Sequence, residues 1–426
     1  MKKSIGKVLV GFFLAITLNL FVLSKISSGQ TIDLSWLFLS QLLSLLGTTL
    51  LSISFLLSSR LRFVEDWFGG LDKVYRLHHL TGGFSFALLL HHPLFLLINA
   101  LPNTALGWKY LWLSDVLPYN WGVLSLYSLL LMLTLTLFLN LPYSVWKKTH
   151  ELMGISLLFA TLHILTISSD VSRYYPLRFW ILLLLLVSAI SVIYRRFLYS
   201  LFGPKYTFLI NTIDRREDVL VIDLIPTTKK MKFTPGQFVF ARFEGLGKET
   251  HPFSISSNEQ SDSVRLAVKI LGDFTLSMRS LKVGDQVTIW GPYGKFFEGA
   301  LNGKDLVWVA GGIGVTPFLS LMTSKLVTGT ERKVDFFYCV NSPKEAVFDQ
   351  EIEENSSLNP SIVYHKYNSQ TEGRIDAKKI IKLTGSLINK KVFLCGPLPM
   401  MDSLAKQFKS LGLKNRDIIF EDFNFK

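Results

Sequence analysis

Six apolar segments, each nearly or fully long enough to cross a lipid bilayer, occupy the first 200 residues. They cover roughly residues 6–24, 36–58, 80–100, 121–141, 151–169 and 178–198. A helix rises about 1.5 Å per residue, so a hydrocarbon layer of about 30 Å needs about 20 apolar residues. The segment after Met1-Lys2-Lys3 lacks a small-x-small cleavage site and is predicted to be retained. The pattern predicts an α-helical transmembrane bundle of six spans.

The cationic residues between these segments predict the orientation of the bundle, because short cytoplasmic loops are rich in Lys and Arg. The richer side holds Lys2, Lys3, Lys7, Arg60, Arg62, Lys73, Arg76, Lys147, Lys148, Arg195 and Arg196, and the other holds Lys25, Lys109, Arg173 and Arg178. The N-terminus and everything after residue 200 are therefore predicted to be cytoplasmic. The net charge of +13 comes without a basic cluster interleaved with aromatics, so nucleic acid is not expected as a partner.

Histidines in or beside the third and fifth segments are the most informative polar residues of this half. His78 and His92 are 14 residues apart, and His150 and His163 are 13 apart. Ionisable groups within a bilayer usually serve a function, and neutral imidazole is a good axial ligand for haem iron. Such spacings separate two ligands by about 20 Å along a helix. They predict an inner haem between His78 and His150 and an outer haem between His92 and His163.

Some alternatives to this ligand assignment stay open. A 14-residue step returns to nearly the same helix face, which favours His78 and His92, but His79 or His91 could replace either. A 13-residue step does not return to the same face, so the fifth segment needs a bend or a π-bulge. A metal cluster is disfavoured because, apart from Glu151 at the first position of the fifth segment, no carboxylate accompanies the histidines inside the segments.

The composition changes abruptly after residue 200. Short β-branched and aromatic runs from about 205 to 300 predict a small antiparallel barrel, and alternating strands and helices from about 304 predict a parallel α/β sheet. Cys339 and Cys395 are the only cysteines, so neither a disulfide framework nor an iron–sulfur site is expected. The predicted domains are 1–200, a helical membrane domain, 201–300, a β-barrel, and 301–426, an α/β nucleotide-binding domain.

Four short motifs are predicted to lie in loops of this soluble half. Glycines at strand–helix turns allow phosphate groups to approach the backbone, and helix N-termini favour their charge. The ends of parallel strands are the usual ligand sites of α/β sheets, and the fourth motif is placed at the end of the last strand. Each motif is weak singly, and the ordered set is more specific. The motifs are His251-Pro252-Phe253-Ser254, Gly272-Asp273-Phe274-Thr275, Gly311-Gly312-Ile313-Gly314-Val315-Thr316-Pro317 and Cys395-Gly396-Pro397.

Together with His78-His79-Leu80-Thr81-Gly82 and His92-Pro93, these motifs make the chain resemble the ferric reductase/NADPH oxidase superfamily. The resemblance covers nearly the full length and is closest to bacterial NADPH oxidases that need no partner subunit. It implies two haem b groups held by His78, His92, His150 and His163. The second half is similar to ferredoxin-NADP reductase modules, which implies FAD and NADPH as cofactors.

The resemblance also implies roles for the motifs of the soluble half. His251, Pro252, Phe253 and Ser254 would contact the flavin, and Gly272, Asp273, Phe274 and Thr275 would hold the FAD pyrophosphate. Gly311, Gly312, Gly314, Thr316 and Pro317 would hold the pyrophosphate of the nicotinamide nucleotide. Cys395, Gly396 and Pro397 would lie beside the nicotinamide, with Cys395 and the flavin-stacking Phe423 as catalytic residues. Arg374 and Lys344 are candidates for binding a 2′-phosphate.

The function implied is transmembrane electron transfer from cytoplasmic NADPH, through FAD and two haems, to an external acceptor. Dioxygen giving superoxide is the leading acceptor, and a ferric chelate is the alternative. A quinone-linked reductase and a nucleotide-regulated transporter are rivals, but no Gly/Pro-broken span or buried carboxylate favours a transporter. Neither Cys-x-x-Cys pairs nor calcium loops occur, so no regulatory insertion and no obligate protein partner are expected.

Overall fold

The computed structural model describes residues 5–298, 304–328, 330 and 332–421, with the backbone alone at 143 and 144. The chain divides into two compact units, Met1–Leu201 and Phe202–Lys426. Each unit has its own hydrophobic core, centred on Phe21, Leu177 and Ile181 in the first. The second unit contains two sheets.

The first unit is entirely helical in its described part. Five of its helices are long and apolar enough to cross a membrane: Ile5–Ser27, Trp36–Leu57, Leu71–Ala100, Leu117–Leu137 and Tyr175–Phe202. The last of these contains a π-helical turn at Tyr194–Leu198. The helices are α1 (Ile5–Ser27), α2 (Trp36–Leu57), α3 (Arg62–Phe68), α4 (Leu71–Ala100), α5 (Thr104–Lys109), α6 (Leu117–Leu137), α7 (Tyr143–Glu151), α8 (Met153–Thr166), α9 (Asp170–Arg173), α10 (Tyr175–Ile193) and α11 (Tyr199–Phe202).

Two of the six predicted spans differ from the structure. The third begins at Leu71 rather than at residue 80, because Leu71 and Val74 are buried although polar residues separate them. The prediction of one continuous span over 151–169 is wrong. A turn at Leu152 separates α7 from α8, which has only 14 residues. This turn is the bend that the 13-residue histidine spacing requires.

Helices α2 and α4 form the closest helix pair of the first unit. They touch at Gly47, where an added Cβ would lie 2.9 Å from Cγ of Leu89. The Ser85 hydroxyl donates a hydrogen bond of 2.8 Å to the Gly47 carbonyl oxygen. The absence of a side chain at Gly47 therefore lets the two backbones approach and fixes the register of the pair.

The first sheet of the second unit is antiparallel and barrel-like. Its six strands follow the order β4-β3-β6-β1-β2-β5, and a bridge between Ile255 and Leu266 brings the two edge strands together. The prediction that His251–Ser254 lies in a loop is wrong, because these residues form β4 and pair with β3. The strands are β1 (Lys205–Arg216), β2 (Val219–Pro226), β3 (Phe238–Phe243), β4 (His251–Ser254), β5 (Val264–Lys269) and β6 (Gln286–Tyr293), with helix α12 (Asp273–Ser277) after β5.

The second sheet is parallel, in the order β11-β10-β7-β8-β9. The chain runs from β7 outward to β9 and then returns to the opposite side of β7, so the strand order reverses between β7 and β10. A further strand, β11, follows β10, so the prediction that Cys395 ends the last strand is wrong. The elements are β7 (Asp305–Gly311), α13 (Thr316–Met322), β8 (Val334–Val340), α14 (Asp349–Leu358), β9 (Ile362–Asn368), α15 (Ser369–Glu372), α16 (Ala377–Thr384), β10 (Lys390–Cys395), α17 (Leu398–Ser410) and β11 (Ile418–Phe420).

Candidate functional site

His78 on α4 and His150 on α7 face each other in the helical unit. Their ring centroids are 5.9 Å apart and the ring planes are inclined by 81°. Bonds between a metal ion and imidazole are about 2 Å long, so two imidazoles on opposite sides of one metal have centres roughly 6 Å apart. The observed separation therefore suits a pair of axial ligands.

His92 on α4 and His163 on α8 line one cavity of about 290 Å³. The wall is mostly apolar, with Leu89, Val123 and Leu129 among its members. Gly122 leaves room for the second imidazole, since an added Cβ there would lie 3.0 Å from Nδ1 of His163. This second pair lies 14 residues further along α4 than the first pair.

All four imidazoles are held through the Nδ1 atom. Nδ1 of His78 lies 2.8 Å from the Ser54 hydroxyl, and Nδ1 of His92 lies 2.8 Å from the Ser40 hydroxyl. Across the described ranges, no protein group hydrogen-bonds to Nε2 of the four side chains. A ligand histidine is usually oriented in this way, with its second ring nitrogen bound to a protein oxygen. The remaining Nδ1 contacts are His163 to the Pro118 carbonyl oxygen at 2.8 Å and His150 to the Thr136 hydroxyl at 3.4 Å.

The neighbouring histidines differ from these four. Nδ1 of His91 contacts the Ala87 carbonyl oxygen of its own helix at 2.6 Å, and the side chain is exposed. His79 is also exposed. The geometry therefore favours His78 and His92 over their neighbours as the inward-facing pair.

Sequence reasoning missed Ser40 and Ser54, which orient the two histidines of α4. The two serines are 14 residues apart on α2, the same spacing as His78 and His92 on the antiparallel α4. Their backbone carbonyl oxygens also lie 3.1 and 3.0 Å from the respective Nδ1 atoms. The spacing alone does not single these two serines out, because the same segment also contains Ser44, Thr48, Thr49 and Ser52.

In the second unit, two predicted motifs from different elements meet. The His251 ring from β4 stacks on the Phe274 ring of α12, with centroids 3.6 Å apart and an angle of 19° between planes. Nε2 of His251 lies 3.6 Å from a carboxylate oxygen of Glu249. Pro252, Phe253 and Ser254 continue along β4, opposite β3.

The turn at Gly272–Thr275 begins α12, as expected. The Thr275 hydroxyl accepts hydrogen bonds from the backbone N–H groups of Leu271 and Gly272, at 2.9 and 3.0 Å. Of the predicted motif, only the N–H group of Gly272 is therefore engaged within the turn itself. The N–H groups of Asp273, Phe274 and Thr275 form the first helical turn, which has no intrahelical acceptor for them.

The glycine-rich turn after β7 and the Cys395-Gly396-Pro397 turn after β10 pack backbone against backbone. A Cβ added to Gly314 would lie 2.4 Å from the Cys395 carbonyl oxygen, and one added to Gly396 would lie 2.9 Å from Cα of Gly311. In each case the neighbouring turn therefore requires glycine, at Gly314 and at Gly396, whereas Gly312 has φ +54° and open space around it. Thr316 and Pro317 are buried in the first turn of α13. The two motifs meet where the strand order reverses, which is the usual ligand position in open α/β sheets.

Glu421 is a further residue that sequence reasoning did not assign to the site. Its carboxylate would lie 2.9 Å from a Cβ at Gly294, after β6, and its charge together with burial raises the pKa of the Cys395 thiol. Burial is the larger cause of that shift. Glu421 therefore lies close both to the turn after β6 of the barrel and to Cys395 at the end of β10. Phe423 lies outside the described residues.

Lys344 and Arg374 both follow the C-terminal ends of strands in the parallel sheet. Strands β8 and β9 pair in register up to Val340 and Asn368, and the two cations follow within a few residues of those ends. Both side chains are exposed, and no hydrogen bond or ion pair of either side chain is present in the described part of the chain. Lys379 is different, since its ammonium donates to the Tyr367 hydroxyl and to two backbone carbonyl oxygens.

The donor sets fit the groups that the motifs predict. Within the described ranges, no three His, Cys, Asp or Glu side chains gather as a metal-ion site, so the four histidines form pairs rather than a cluster. Two opposed imidazoles suit a metal whose other ligands belong to a porphyrin. The turns at Gly311 and Gly396 carry no side chains, which would let a dinucleotide approach their backbones.

Comparison with known proteins gives three family matches along the chain. Residues 43–161 match the "Ferric reductase like transmembrane component", residues 207–296 match an "FAD-binding domain" and residues 308–406 match an "Oxidoreductase NAD-binding domain". This order of a ferric-reductase-like membrane domain, an FAD-binding domain and an NAD-binding oxidoreductase domain is the domain architecture of the ferric reductase/NADPH oxidase superfamily.

Individual relatives match parts of the chain. The chain is 29% identical over 224 residues to the reductase component of phenol 2-monooxygenase from Pseudomonas sp. (strain CF600), covering 48% of this chain and 63% of the relative. It is 24% identical over 206 residues to the electron transfer component of toluate 1,2-dioxygenase from Pseudomonas putida, covering 46% and 60%. The chain thus spans less than two thirds of the length of either relative. The crystal structure of flavohemoglobin from Malassezia yamatoensis is similar in fold, at 20% identity and TM-score 0.50, covering 82% of this chain and 98% of that one.

Proposed function

We propose that the chain transfers electrons from cytoplasmic NADPH across the membrane, through FAD and two b-type haems, to dioxygen, which leaves as superoxide. The supporting observation is the arrangement of four histidines in two opposed pairs, each held through Nδ1. The proposed functional parts are residues 1–200 for haem, 201–300 for FAD and 301–426 for NADPH. The location is the bacterial cell membrane, with the N-terminus and the dehydrogenase part in the cytoplasm and no obligate protein partner.

The proposed roles of the membrane residues follow from their contacts. His78 and His150 would hold the inner haem, and His92 and His163 the outer one. Ser54 and Ser40 orient the imidazoles of α4, so that Nε2 points away from α2. When bound, FAD would supply the change from two-electron to one-electron transfer, and haem iron would relay single electrons.

The proposed roles of the soluble residues are positional. His251 and Phe274 form a stacked wall at the flavin motif, with Pro252 to Ser254 presented along β4. Gly272, Asp273 and Thr275 would approach the FAD pyrophosphate, and Gly311 to Pro317 the nucleotide pyrophosphate. Cys395 stays a neutral thiol beside the nicotinamide, because burial and Glu421 raise its pKa. Phe423 keeps its proposed role of stacking on the flavin.

NADPH is proposed over NADH because two exposed cations stand at one edge of the sheet. Lys344 and Arg374 follow the C-terminal ends of adjacent strands, where the adenosine half of a dinucleotide lies in this type of fold. An Arg near that position accommodates a 2′-phosphate. The Arg374 guanidinium is therefore proposed as the principal phosphate contact.

Dioxygen is proposed as the acceptor because the chain resembles bacterial NADPH oxidases that need no partner subunit. The cavity beside His92 and His163 is the space proposed for the outer haem. Ferric-chelate reduction with the same cofactors is the alternative function.

A paired histidine experiment tests the haem assignment. The full-length protein is purified with its pigment, and the b-type absorbance after dithionite reduction is compared for His92→Ala and His91→Ala. We expect His92→Ala to lose half of the haem and all NADPH-driven electron delivery to dioxygen, whereas His91→Ala keeps both. Full pigment in His92→Ala, or half loss in His91→Ala, contradicts the assignment.

A second experiment tests the acceptor. NADPH oxidation by the native protein is followed with dioxygen or with a ferric chelate under nitrogen. Cytochrome c reduction is measured with and without superoxide dismutase. We expect dismutase to abolish the cytochrome c signal. Faster turnover with ferric chelate under nitrogen than with dioxygen would favour the alternative.

A further inference from the structure

The turn that carries Arg374 has no buried side chain to fix it. Every residue from Gln370 to Arg374 is exposed, and Gly373, directly before Arg374, has a left-handed φ of +70°. Such a turn is held by its hydrogen bonds, because no apolar packing restrains its backbone. The position of the Arg374 guanidinium therefore depends on the groups that bond to this turn.

Lys379, in the first turn of α16, bonds to the turn on both sides of Gly373. Its ammonium donates to the carbonyl oxygens of Glu372 at 2.7 Å and Arg374 at 3.1 Å. A Cβ added to Gly373 would lie 3.7 Å from the same nitrogen, so the ammonium lies over the turn. The two carbonyl oxygens thus converge on one cation.

Tyr367 connects Lys379 to the hydrophobic core. The Tyr367 side chain is 4% exposed, and its hydroxyl accepts a hydrogen bond of 2.7 Å from the ammonium. The same hydroxyl donates to the Glu372 carbonyl oxygen at 3.0 Å. All three donors of the ammonium are therefore used within the protein, so Lys379 has none left for a ligand.

We propose that Lys379 is a positioning residue for nucleotide selection, which fixes the backbone of this turn so that the Arg374 guanidinium meets a 2′-phosphate. This inference rests on the proposed function, in which Arg374 is the principal phosphate contact. A guanidinium on a fixed backbone loses less conformational freedom on binding, so the fixed turn favours the phosphorylated nucleotide. NAD⁺ and NADH lack this phosphate, so their affinity does not depend on the turn.

Two other roles for Lys379 make different predictions. A purely structural link would stabilise the chain, and its loss would weaken both nucleotides equally or neither. A direct contact between Lys379 and the phosphate would contribute to binding whether or not Arg374 is present. Measuring two nucleotides in two backgrounds separates these roles from positioning, because residues that act through one another are not additive.

The affinities of the purified full-length protein for NADP⁺ and NAD⁺ are measured by isothermal titration calorimetry, which needs no turnover. We expect Lys379→Met to weaken NADP⁺ binding about fivefold, less than the loss of about tenfold in Arg374→Ala, because Lys379 acts through that side chain. The affinity for NAD⁺ should stay unchanged. In the Arg374→Ala background, Lys379→Met should weaken NADP⁺ binding by less than about twofold further.

Lys378→Met is the matched control for this substitution. Lys378 is the neighbouring cation on α16 and is exposed, and its side chain makes no hydrogen bond or ion pair within the described ranges. Its replacement removes the same charge and should leave both affinities unchanged. A loss of NADP⁺ affinity equal to that in Lys379→Met overturns the proposal, since charge alone would then explain both losses.

Tyr367→Phe keeps the buried ring and removes the hydroxyl, so it tests the same contacts if Lys379→Met does not fold. It should weaken NADP⁺ binding about twofold and leave NAD⁺ binding unchanged. Native NADP⁺ affinity in the folded variants, equal losses for both nucleotides, or the same loss in the Arg374→Ala background overturns the proposal. A native preference between the two nucleotides in Arg374→Ala would instead refute the proposed phosphate contact itself, so the two failures are distinguishable.

Discussion

Replacing Gly314 by alanine tests whether the glycine-rich turn is fixed by the neighbouring turn. The new Cβ would lie 2.4 Å from the Cys395 carbonyl oxygen, 2.6 Å from its carbon and 2.7 Å from Cα of Gly396. Ordinary van der Waals contact begins near 3.4 Å, so the turns must separate by 3.4 − 2.4 = 1.0 Å. All three atoms belong to backbone, which cannot rotate aside as a side chain does.

This displacement falls on the crevice where the nucleotide is proposed to bind. A misplacement of about 1 Å can cost about 100-fold in rate, and overpacking costs about 1–3 kcal/mol of stability. We therefore expect Gly314→Ala to lower kcat/KM for NADPH about 100-fold. The assay is NADPH oxidation by the full-length protein with ferricyanide as a soluble acceptor, alongside thermal unfolding.

Gly312→Ala is the matched control for this substitution. No atom lies within 4 Å of a Cβ at Gly312, but its φ of +54° is left-handed. An alanine there costs about 1–2 kcal/mol of backbone strain and displaces no neighbouring strand. It should therefore lower the unfolding temperature while largely preserving kcat/KM. Native kcat/KM in Gly314→Ala, or a larger loss in Gly312→Ala, would refute the reasoning.

Three further substitutions test other parts of the structure. Ser54→Ala should speed the transfer of haem to a scavenger protein only about fivefold, because the hydrogen bond that is lost contributes about 1 kcal/mol. The carbonyl oxygen of residue 54 still contacts Nδ1 of His78 at 3.0 Å. Purification of this variant without haem would contradict this expectation. Burial raises the pKa of the Cys339 thiol to about 12 from 9.0, so its contribution to stability is present below pH 9 and is lost as pH rises towards 12. Cys339→Ala should flatten the alkaline part of a stability–pH curve, and an unchanged slope would count against it. Arg374→Ala should raise KM for NADPH about tenfold and leave KM for NADH unchanged, because one charged phosphate contact contributes about 1.5–3 kcal/mol; equal effects on both nucleotides would remove Arg374 from the 2′-phosphate site.

Periodicity and composition predicted the order of the domains along the chain, but not where individual helices and strands begin and end. The alternating strands and helices predicted from about residue 304 are confirmed, since β7 begins at Asp305. Helix α4 extends beyond its predicted start because tertiary packing buries Leu71 and Val74 among polar neighbours. The short strands β4 and β11 were missed because neither has a repeating pattern of its own. Their pairing partners, distant in sequence, make them strands.

The candidate site was predictable in its motifs and less so in its contacts. Spacing along α4 favoured His78 and His92 as the ligands. In the structure, Nδ1 of each contacts a serine of α2, whereas Nδ1 of His91 contacts a carbonyl oxygen of its own helix. The packing role of Gly314 was not visible, because it depends on a turn that follows another strand. A glycine in such a motif can be needed either for a ligand to approach or for a neighbouring backbone to pack, and the sequence alone does not separate these two reasons.

The pairing of α2 with α4 explains how two sites arise at fixed depths. Ser85 lies midway between His78 and His92, and it bonds to Gly47, which lies midway between Ser40 and Ser54. The central contact thus sets one register, and the two serine–histidine contacts follow at equal distances on either side. On the opposite wall, the turn at Leu152 lets His150 and His163 meet these positions despite a 13-residue spacing. A single residue inserted in α4 between His78 and Ser85 would rotate one histidine by about 100° relative to the other, so regular spacing in this helix pair is what makes two aligned sites possible.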